Sequence, residues 1–359
     1  MNPVPSMPDG LTPEWLTQVL STRGVLAEGG EITAVEVEQI GDGVGMMSEL
    51  ARVHLTCSPP GAAPRSIVAK FASQNPTNRE VSMDFHVYER EVRYFQELDA
   101  RTELVSPEMH YAAIEGDEFV LLMEDLEAYR CGDQTAGATL RESELAIDAL
   151  VRLHAPFWNR VDDLTWVPGV ADSYHADNLY NFVQAGWPAM MEHFGQFVAP
   201  EIDARRDRFF AAARDLQARM NQAPRTFLHG DFRMENFFYG QEPQHHDIVI
   251  FDFQGPLLGK GVVDVALLLC QSTQKEVRRA HERDLVNRYA AGLRAREVDY
   301  SDAQAWDDYV EAILYSWLYT GVVSGTLDAS NPISFAWMSQ MIDRHSTASM
   351  DHAVFDRLT

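Results

Sequence analysis

The sequence predicts an α+β protein with two lobes, in which a small antiparallel β lobe with one key helix precedes a larger, mainly helical lobe. Two observations predict this class. Alternating apolar and polar residues are concentrated in the first third of the chain, and helical periodicity dominates the remainder. The short apolar segment at residues 248–253 interrupts the helices and predicts one further strand. We therefore expect an N-terminal lobe at residues 1–125 and a C-terminal lobe at residues 126–359.

The individual elements follow from the same periodicities. Strands are expected where apolar residues alternate or form short runs, and a turn is expected at residues 58–64, where proline, glycine and serine are concentrated. Helices are expected where apolar residues recur every three to four positions. The predicted strands are residues 31–40, 48–57, 66–72 and 118–126, and the predicted helices are residues 85–98, 142–159, 205–221, 276–296 and 303–325.

Composition and charge restrict the possible partners. The chain has 359 residues and a net charge of −25, from 29 basic and 54 acidic residues. Such a chain should repel nucleic acids and anionic membrane surfaces, so neither is expected as a partner. The acidity suits a cationic substrate, and solubility alone also explains it. Three scattered cysteines predict a reduced, cytoplasmic protein without a zinc site. The apolar residues 312–327 are slightly too few for a membrane span and predict a buried helix.

The glycine-rich segment "GDGVG", residues 41–45, joins two predicted strands. Dinucleotide-binding motifs place a helix after their glycines and P-loops continue into a lysine motif, so neither fits this segment. Two interpretations stay open. Either Gly43 and Gly45 let the backbone approach a nucleotide phosphate closely, or the segment is an ordinary β-turn.

Lys70 is the single charge in the apolar strand "SIVAKFA", and a buried ammonium group needs a counter-charge. Glu91 can supply it. On a helical wheel, Glu91 falls in the middle of the apolar stripe of residues 85–98, whereas the other charges, Arg90 among them, fall on the opposite face. We therefore expect a Lys70–Glu91 pair of the kind that orients nucleotide phosphates. A lysine whose head group reaches solvent is the alternative.

The segments "HGDFRMEN", residues 229–236, and "FDFQ", residues 251–254, contain the residue types that phosphoryl transfer requires. That reaction needs a group that orients the attacking hydroxyl and accepts its proton, and it needs oxygen ligands for Mg²⁺. Asp231 can play the first role, and Asn236 and Asp252 can supply metal oxygens. Each aspartate alone could equally cap a turn or an element end. Their order and spacing together favour the catalytic interpretation.

Together, Lys70, Glu91, "LLMEDL", "HGDFRMEN" and "FDFQ" resemble the aminoglycoside phosphotransferase and choline kinase group of the protein-kinase-like superfold, over residues 41–269. The segments "SMDFHVYEREVRYFQEL", "LLMEDL" and "DFQ" are similar to its ecdysteroid-kinase-like branch. The segments "HGDFRMENFF" and "GKGVVDVALLL" are equally similar to kinase domains found with acyl-CoA dehydrogenases. Both branches stay open. One departure is "MMSEL" after the glycines, which is bulky for a segment that covers phosphates.

The resemblance implies a bilobal protein-kinase-like fold that uses ATP and Mg²⁺. It implies that Asp231 is the catalytic base and that Asn236 and Asp252 hold Mg²⁺. It also implies that Lys70 contacts the α- and β-phosphates and that Glu91 positions Lys70.

Further roles are implied for residues in both lobes. The backbone around Glu124 and Leu126 should hold the adenine ring, and Ser48 should reach a phosphate. His229 should brace the catalytic loop.

Two charged residues near the catalytic motifs have alternative roles. Asp264 should bond the backbone of the catalytic loop, although a helix N-cap is an equal interpretation. Arg233 lies where it could contact the transferred phosphoryl group, and a salt bridge to Glu235 is the alternative.

The sequence therefore predicts a small-molecule kinase that phosphorylates a hydroxyl group with Mg-ATP. A nucleotide-binding pseudokinase or regulatory module is the alternative from another class, although its typical loss of a catalytic residue is not seen here. A protein kinase is disfavoured, because glutamine instead of glycine follows the "DF" of residues 252–253 and little chain is left for an activation loop.

The acceptor is expected at residues 172–197, which are rich in aromatic residues and methionine. Asp177 and Glu192 are the only carboxylates between Tyr174 and Phe197. An apolar lining with few polar groups suits a largely apolar, hydroxylated acceptor better than an aminoglycoside, which needs several carboxylates around its amines. Packing of the helical core would use the same residue types. The sequence carries no signal for the oligomeric state.

Overall fold

The computed structural model describes residues 4–41 and 47–358. The chain forms two compact units. The first unit extends to Arg101 and includes Ser106–Tyr129, and the second contains Thr102–Val105 and the chain from Arg130 onward. The first unit is built on one antiparallel sheet and the second is mainly helical, so the predicted α+β class is confirmed.

The first unit is a five-stranded sheet with helices packed against it. The strand order is β1-β2-β3-β5-β4, and all neighbouring strands are antiparallel. Its helices and strands are α1 (Pro13–Thr22), β1 (Glu31–Ile40), β2 (Ser48–Ser58), β3 (Ser66–Ala72), α2 (Pro76–Asp84), α3 (Val87–Arg93), β4 (Met109–Glu115) and β5 (Glu118–Glu124), with single helical turns at Pro8–Gly10, Tyr94–Leu98 and Asp99–Arg101.

The alternation of side chains along β3 separates the core of the first unit from its functional face. Ile67 and Phe71 pack with Leu16 and Leu20 of α1 in a fully buried core. Because successive side chains of a strand point to opposite faces, Lys70 projects from the other side of the sheet. Lys70 is central in that sheet, with its Cα paired to neighbours on both β2 and β5.

The second unit consists mainly of helices with two small sheets. The elements up to the second sheet are β6 (Arg130–Cys131), α4 (Leu140–His154), α5 (Ser173–Phe194), α6 (Pro200–Asp203), α7 (Arg206–Met220), β7 (Thr226–Leu228), β8 (Phe237–Tyr239), β9 (Ile248–Ile250) and β10 (Leu257–Gly259). The helices that follow are α8 (Val262–Ala266), α9 (Lys275–Arg294), α10 (Asp302–Tyr315), α11 (Trp317–Thr326) and α12 (Pro332–Asp351).

The two small sheets bring the catalytic motifs together. β7 pairs with β10, and β8 lies between β6 and β9. The segment between β7 and β8 contains "HGDFRMEN", and the segment between β9 and β10 contains "DFQ". Because β8 and β9 are antiparallel, with Phe237 opposite Ile250, the end of the first segment lies beside the start of the second.

Some predicted elements differ in detail. The helix expected at residues 303–325 is divided into α10 and α11 at Ser316, whose hydroxyl donates to the Ala312 carbonyl oxygen at 2.8 Å, a bond that bends helices. The helix expected at residues 85–98 is α3 followed by a π-helical turn. The sequence did not predict α1, β4, α5 or α12. Within the described residues, no helix has the length and apolarity needed to cross a membrane.

Candidate active site

The predicted Lys70–Glu91 pair is present in the first unit. Lys70 Nζ donates to Glu91 Oε1 at 2.7 Å, and the side chains are 2% and 0% exposed. Glu91 lies on α3 between the buried residues Tyr88 and Val92, as the helical wheel predicted. The prediction that Arg90 lies on the solvent face is wrong, because the residue is only 5% exposed. An ion pair with this degree of burial fixes the ammonium group in one position.

A double replacement tests this pair. Glu91→Leu should lower the free energy of unfolding by about 3–5 kcal/mol, because it removes the buried carboxylate that pairs with the Lys70 ammonium. It should also abolish transfer. The matched double variant Lys70→Met/Glu91→Leu should regain the melting temperature but remain inactive, because an apolar pair fills the same space without binding phosphate. Thermal denaturation and a transfer assay check both. A single variant that melts like the wild type would contradict the pair.

The other expected nucleotide-binding residues of the first unit lie at strand ends. Ser48 begins β2 opposite Ala72 and is buried. Glu124 ends β5, and its amide donates to the Glu108 carbonyl oxygen at 2.9 Å. Leu126 follows β5 by two residues, and its carbonyl oxygen accepts from Tyr129 N–H at 2.9 Å. Gly43 and Gly45 lie outside the described residues.

In the second unit, Asp264 on α8 fixes the segment after β7. Its carboxylate accepts from His229 N–H at 2.7 Å and from Gly230 N–H at 3.0 Å. Of the two interpretations of Asp264, the geometry matches the one in which it bonds the backbone of the catalytic loop. Gly230 has φ of +81°, and a Cβ at this position would lie 1.8 Å from the Gly255 carbonyl oxygen. The backbones of the two catalytic segments thus touch where only glycine fits.

His229 links the same two segments through its ring. Nδ1 accepts from Asp231 N–H at 3.3 Å, so Nε2 carries the proton and donates to the Phe251 carbonyl oxygen at 3.1 Å. The imidazole is fully buried. The structure therefore places His229 where it can brace the catalytic loop, as the resemblance implied.

The Asp231 carboxylate is held through one oxygen. Oδ2 accepts from Arg233 Nε at 3.1 Å and from Asn236 Nδ2 at 3.1 Å. In the described part of the chain no hydrogen bond reaches Oδ1, and the side chain is 43% exposed. Burial acts to raise the pKa of Asp231, but the charge of Arg233 and the hydrogen bonds from Arg233 and Asn236 leave the pKa below its ordinary value. The carboxylate is therefore ionised at neutral pH and presents Oδ1 to a ligand.

Asn236 and Asp252 offer oxygens that suit a hard cation. Asn236 Nδ2 donates to the Asp231 carbonyl oxygen at 2.8 Å as well as to its carboxylate, so the amide oxygen of Asn236 is turned away from Asp231. Phe251 N–H donates to the Asn236 carbonyl oxygen at 3.0 Å, which places Asp252 next along the chain from this contact. An amide oxygen and a carboxylate fit Mg²⁺, which takes its remaining ligands from phosphates and water.

Asp252 has an unusual backbone conformation. Its φ is +70°, in the left-handed region that few residues other than glycine adopt. Aspartate and asparagine tolerate this region better than other side chains. This conformation turns the chain two residues after the end of β9. Strained backbone of this kind is concentrated at functional sites.

Arg233 is held by a salt bridge and by an aromatic ring. Nη1 donates to Glu235 Oε2 at 2.6 Å, so the salt bridge considered as its alternative role is present. Its Cζ also lies 4.8 Å from the ring centroid of Trp337. The side chain is 18% exposed. Arg233 therefore acts first as the counter-charge of Asp231 and Glu235.

Sequence reasoning missed two residues that support this loop. His154 Nε2 lies 3.2 Å from Asp264 Oδ2, and its Nδ1 lies 2.7 Å from Tyr289 Oη. His154 follows Ile147 and Leu150 on the buried face of α4. An ionisable residue on an apolar stripe, the signal that revealed Glu91, could therefore have revealed it.

The second missed residue is Gln134. Its side-chain oxygen accepts from Met234 N–H at 3.2 Å. It lies in a loop where no periodicity marks it.

The aromatic residues expected around the acceptor lie largely in the helical core. Trp187 packs against Phe209 and Trp317 and donates through Nε1 to Asp203 at 2.9 Å. Phe194 stacks on Phe335 with 5.2 Å between ring centroids. Core packing, the other interpretation of residues 172–197, therefore accounts for these two rings. Tyr174, at the start of α5, is 50% exposed.

The fold and the family match together define a phosphotransferase that acts on a small-molecule hydroxyl group. The model of the ecdysteroid kinase-like family matches residues 42–299, and the chain belongs to this family. The match confirms the predicted kinase group and decides between the two branches. A comparison with curated proteins finds no match.

Solved structures share the fold at low identity. The microcompartment-associated aminopropanol kinase is 13% identical, with a TM-score of 0.55 and coverage of 96% of this chain and 99% of that chain. Spectinomycin phosphotransferase, solved with ADP and spectinomycin, is 12% identical, with a TM-score of 0.54 and the same coverages. The GDP complex of aminoglycoside 2′-phosphotransferase-IIIa is 12% identical, with a TM-score of 0.51 and coverages of 95% and 99%.

Proposed function

We propose that this protein transfers the γ-phosphoryl group of ATP, in the presence of Mg²⁺, to a hydroxyl group of a largely apolar small molecule. The observation that carries the proposal is the Asp231 carboxylate. One of its oxygens is fixed by Arg233 and Asn236, and the side chain is 43% exposed although its neighbours His229 and Phe232 are fully buried. A fixed, ionised and accessible carboxylate is what an attacking hydroxyl needs for orientation.

The proposed reaction is an in-line transfer. The acceptor hydroxyl donates a hydrogen bond to Asp231 Oδ1 and gives up its proton to that carboxylate. The hydroxyl oxygen forms the new bond to phosphorus, and the bond between phosphorus and the leaving oxygen of ADP breaks. A carboxylate with a lowered pKa is a weak base, which suits a loose transition state in which orientation matters more than early proton removal.

The other candidate residues have supporting roles in this proposal. Asn236 and Asp252 would hold Mg²⁺, which neutralises phosphate charge when bound. Lys70, held by Glu91, would bind nucleotide phosphates, and Ser48 with the glycines Gly43 and Gly45 would add contacts to them. The backbone of Glu124 and the amide of Leu126 would bind adenine.

The proposed acceptor class has one line of support from the family and one from the charges. The matched family is named for ecdysteroids, which carry their hydroxyl groups on an apolar steroid skeleton. Of the two carboxylates expected near the acceptor, Asp177 already forms an ion pair with Arg214, so it is partly neutralised towards an amine. The net charge of −25 favours the competing class, amino alcohols such as aminoglycosides, through long-range attraction that salt weakens.

A direct comparison tests the proposal. Purified protein with Mg-ATP is offered hydroxylated steroids and terpenoid alcohols on one side and kanamycin-type amines on the other, at low and high salt. We expect phosphorylation of the apolar alcohols with little dependence on salt. Salt-sensitive phosphorylation of the amines alone would transfer the proposal to amino alcohols. Nucleotide binding with no phosphorylated product from either set would identify a regulatory module instead of an enzyme.

A further inference from the structure

The long helix α12 lies outside the part of the chain that the family model matches, which ends at residue 299. It nevertheless supports the catalytic segment from two residues one heptad apart, one by direct contact and one through a neighbouring loop. Trp337 and Arg344 lie on the same face of α12, because seven residues correspond to two helical turns. The first lies against Arg233, and the second bonds the loop that contains Gln134.

Trp337 acts through its ring face. The indole is 1% exposed, and the Arg233 Cζ lies 4.8 Å from the ring centroid. Among the described residues the indole N–H has no hydrogen-bond partner, although buried tryptophans usually have one. A hydrogen bond therefore does not explain why a tryptophan occupies position 337. Its extended π face, the best aromatic partner for a guanidinium, does explain it.

The ring restrains a cation whose hydrogen bonds, within the described residues, go to two carboxylates of its own short segment. Arg233 bonds Asp231 on one side and Glu235 on the other, at 3.1 and 2.6 Å. Both partners belong to the same segment as Arg233, so they could move together with it. Trp337 is the contact that ties the guanidinium to a long helix, and through Nε the guanidinium fixes Asp231 Oδ2.

Arg344 provides the second connection. Its guanidinium donates to the carbonyl oxygens of Gln134 at 2.6 Å and Thr135 at 2.7 Å. The Gln134 side chain in turn accepts from Met234 N–H in the catalytic segment. Gly137, with φ of +77°, lets Arg344 approach, since a Cβ there would lie 2.6 Å from Nη2. Burial lowers the pKa of Arg344 to about 10, so it remains charged at neutral pH.

We infer that Trp337 and Arg344 are positioning residues that hold residues 229–238, the catalytic segment with the first two residues of β8, against α12. The inference deepens the proposed function and rests on it in one respect, namely that Asp231 is the group that meets the acceptor hydroxyl. Neither residue touches the reacting atoms. Both act through another residue, Trp337 through Arg233 and Arg344 through Gln134.

Hydrogen exchange measured by mass spectrometry on the full chain tests the inference without any turnover. Trp337→Leu should raise amide exchange in residues 229–238, and Trp337→Phe, which keeps a ring, should largely restore the wild-type rate. Trp187→Leu is the matched control, because Trp187 is equally buried at 1% exposure but packs elsewhere in the second unit. That control should leave exchange in residues 229–238 unchanged. If Trp337→Leu does not fold, Trp337→Met carries the same test, since methionine fills space without a π face.

A kinetic arm separates positioning from simple structural support. Trp337→Leu should lower kcat about tenfold and leave the KM for ATP within about twofold, because orientation is lost but nucleotide contacts remain. Added to Arg233→Met, it should cause no further loss, since both act on Asp231 through one contact. Wild-type exchange in residues 229–238 of a folded Trp337→Leu protein would overturn the inference, as would equal opening by the control. A wild-type protein without turnover would instead refute the proposed function, and the exchange result would still decide this inference.

Discussion

Replacing Asp231 by asparagine should abolish phosphoryl transfer while leaving nucleotide binding intact. Asparagine can keep an oxygen facing Arg233 Nε and Asn236 Nδ2, so the loop retains its shape, but it cannot accept the proton of the acceptor hydroxyl. Groups that orient and deprotonate a nucleophile contribute about 10²- to 10⁴-fold, so we expect turnover to fall by roughly a thousandfold. The measurement is the single-turnover rate with the acceptor that the screen identifies, beside calorimetric affinity for Mg-ATP.

The control for this variant is Glu235→Gln, which changes a neighbouring carboxylate of the same segment. Glu235 also bonds Arg233 but does not bond Asp231, so its replacement should have a much smaller effect on turnover. Asp231→Asn protein that turns over near the wild-type rate would remove Asp231 from the mechanism. Equal losses of turnover from both variants would show that the experiment reports a disturbed loop geometry and not the loss of the catalytic base.

Asp252→Asn should weaken Mg-ATP binding and lower turnover with it. The carboxylate is the stronger of the two hard ligands, and even groups one step removed from a metal often change its affinity at least about tenfold. Asparagine is the informative replacement, because it tolerates the left-handed backbone at φ of +70° and so removes the charge alone. Calorimetry should show a large loss for Mg-ATP and a small one for ADP without metal.

Asp252→Ala provides the comparison for backbone strain. Alanine has no side chain that favours φ of +70°, so this variant should lose melting temperature in addition to affinity, whereas Asp252→Asn should melt like the wild type. Equal Mg-ATP affinity in wild-type and Asp252→Asn protein would end the assignment of Asp252 to the metal.

The parts of the site that could be predicted from sequence depend on local patterns. Glu91 was visible because a carboxylate on an apolar helix stripe needs a cation, and Lys70 was visible as a charge in an apolar strand. Asp231 and Asn236 follow one another at a spacing that a short loop imposes. In each case the pattern that identifies the residue lies within a single helix, strand or loop.

The parts that could not be predicted depend on contacts between distant segments. The wheel placed Arg90 in solvent because it treats a helix in isolation, whereas the fold buries Arg90 and leaves Glu89 and Glu97 of that face exposed. Trp337 lies about a hundred residues after Arg233 in the chain, and nothing in the pattern of α12 connects them. The aromatic residues Trp187 and Phe194 show the reverse error, since a composition that suits a ligand pocket equally suits a core.

The contact between Gly230 and Gly255 limits how this enzyme can be re-engineered. A methyl group at position 230 would overlap the Gly255 carbonyl oxygen. A substitution in one segment therefore has to be compatible with the backbone of the other. Libraries that seek a new acceptor should keep both positions fixed. Chimeras that exchange catalytic segments with a homologue should transfer residues 229–236 and 251–255 as one cassette, because a crossover between them separates two backbones that were selected to fit each other.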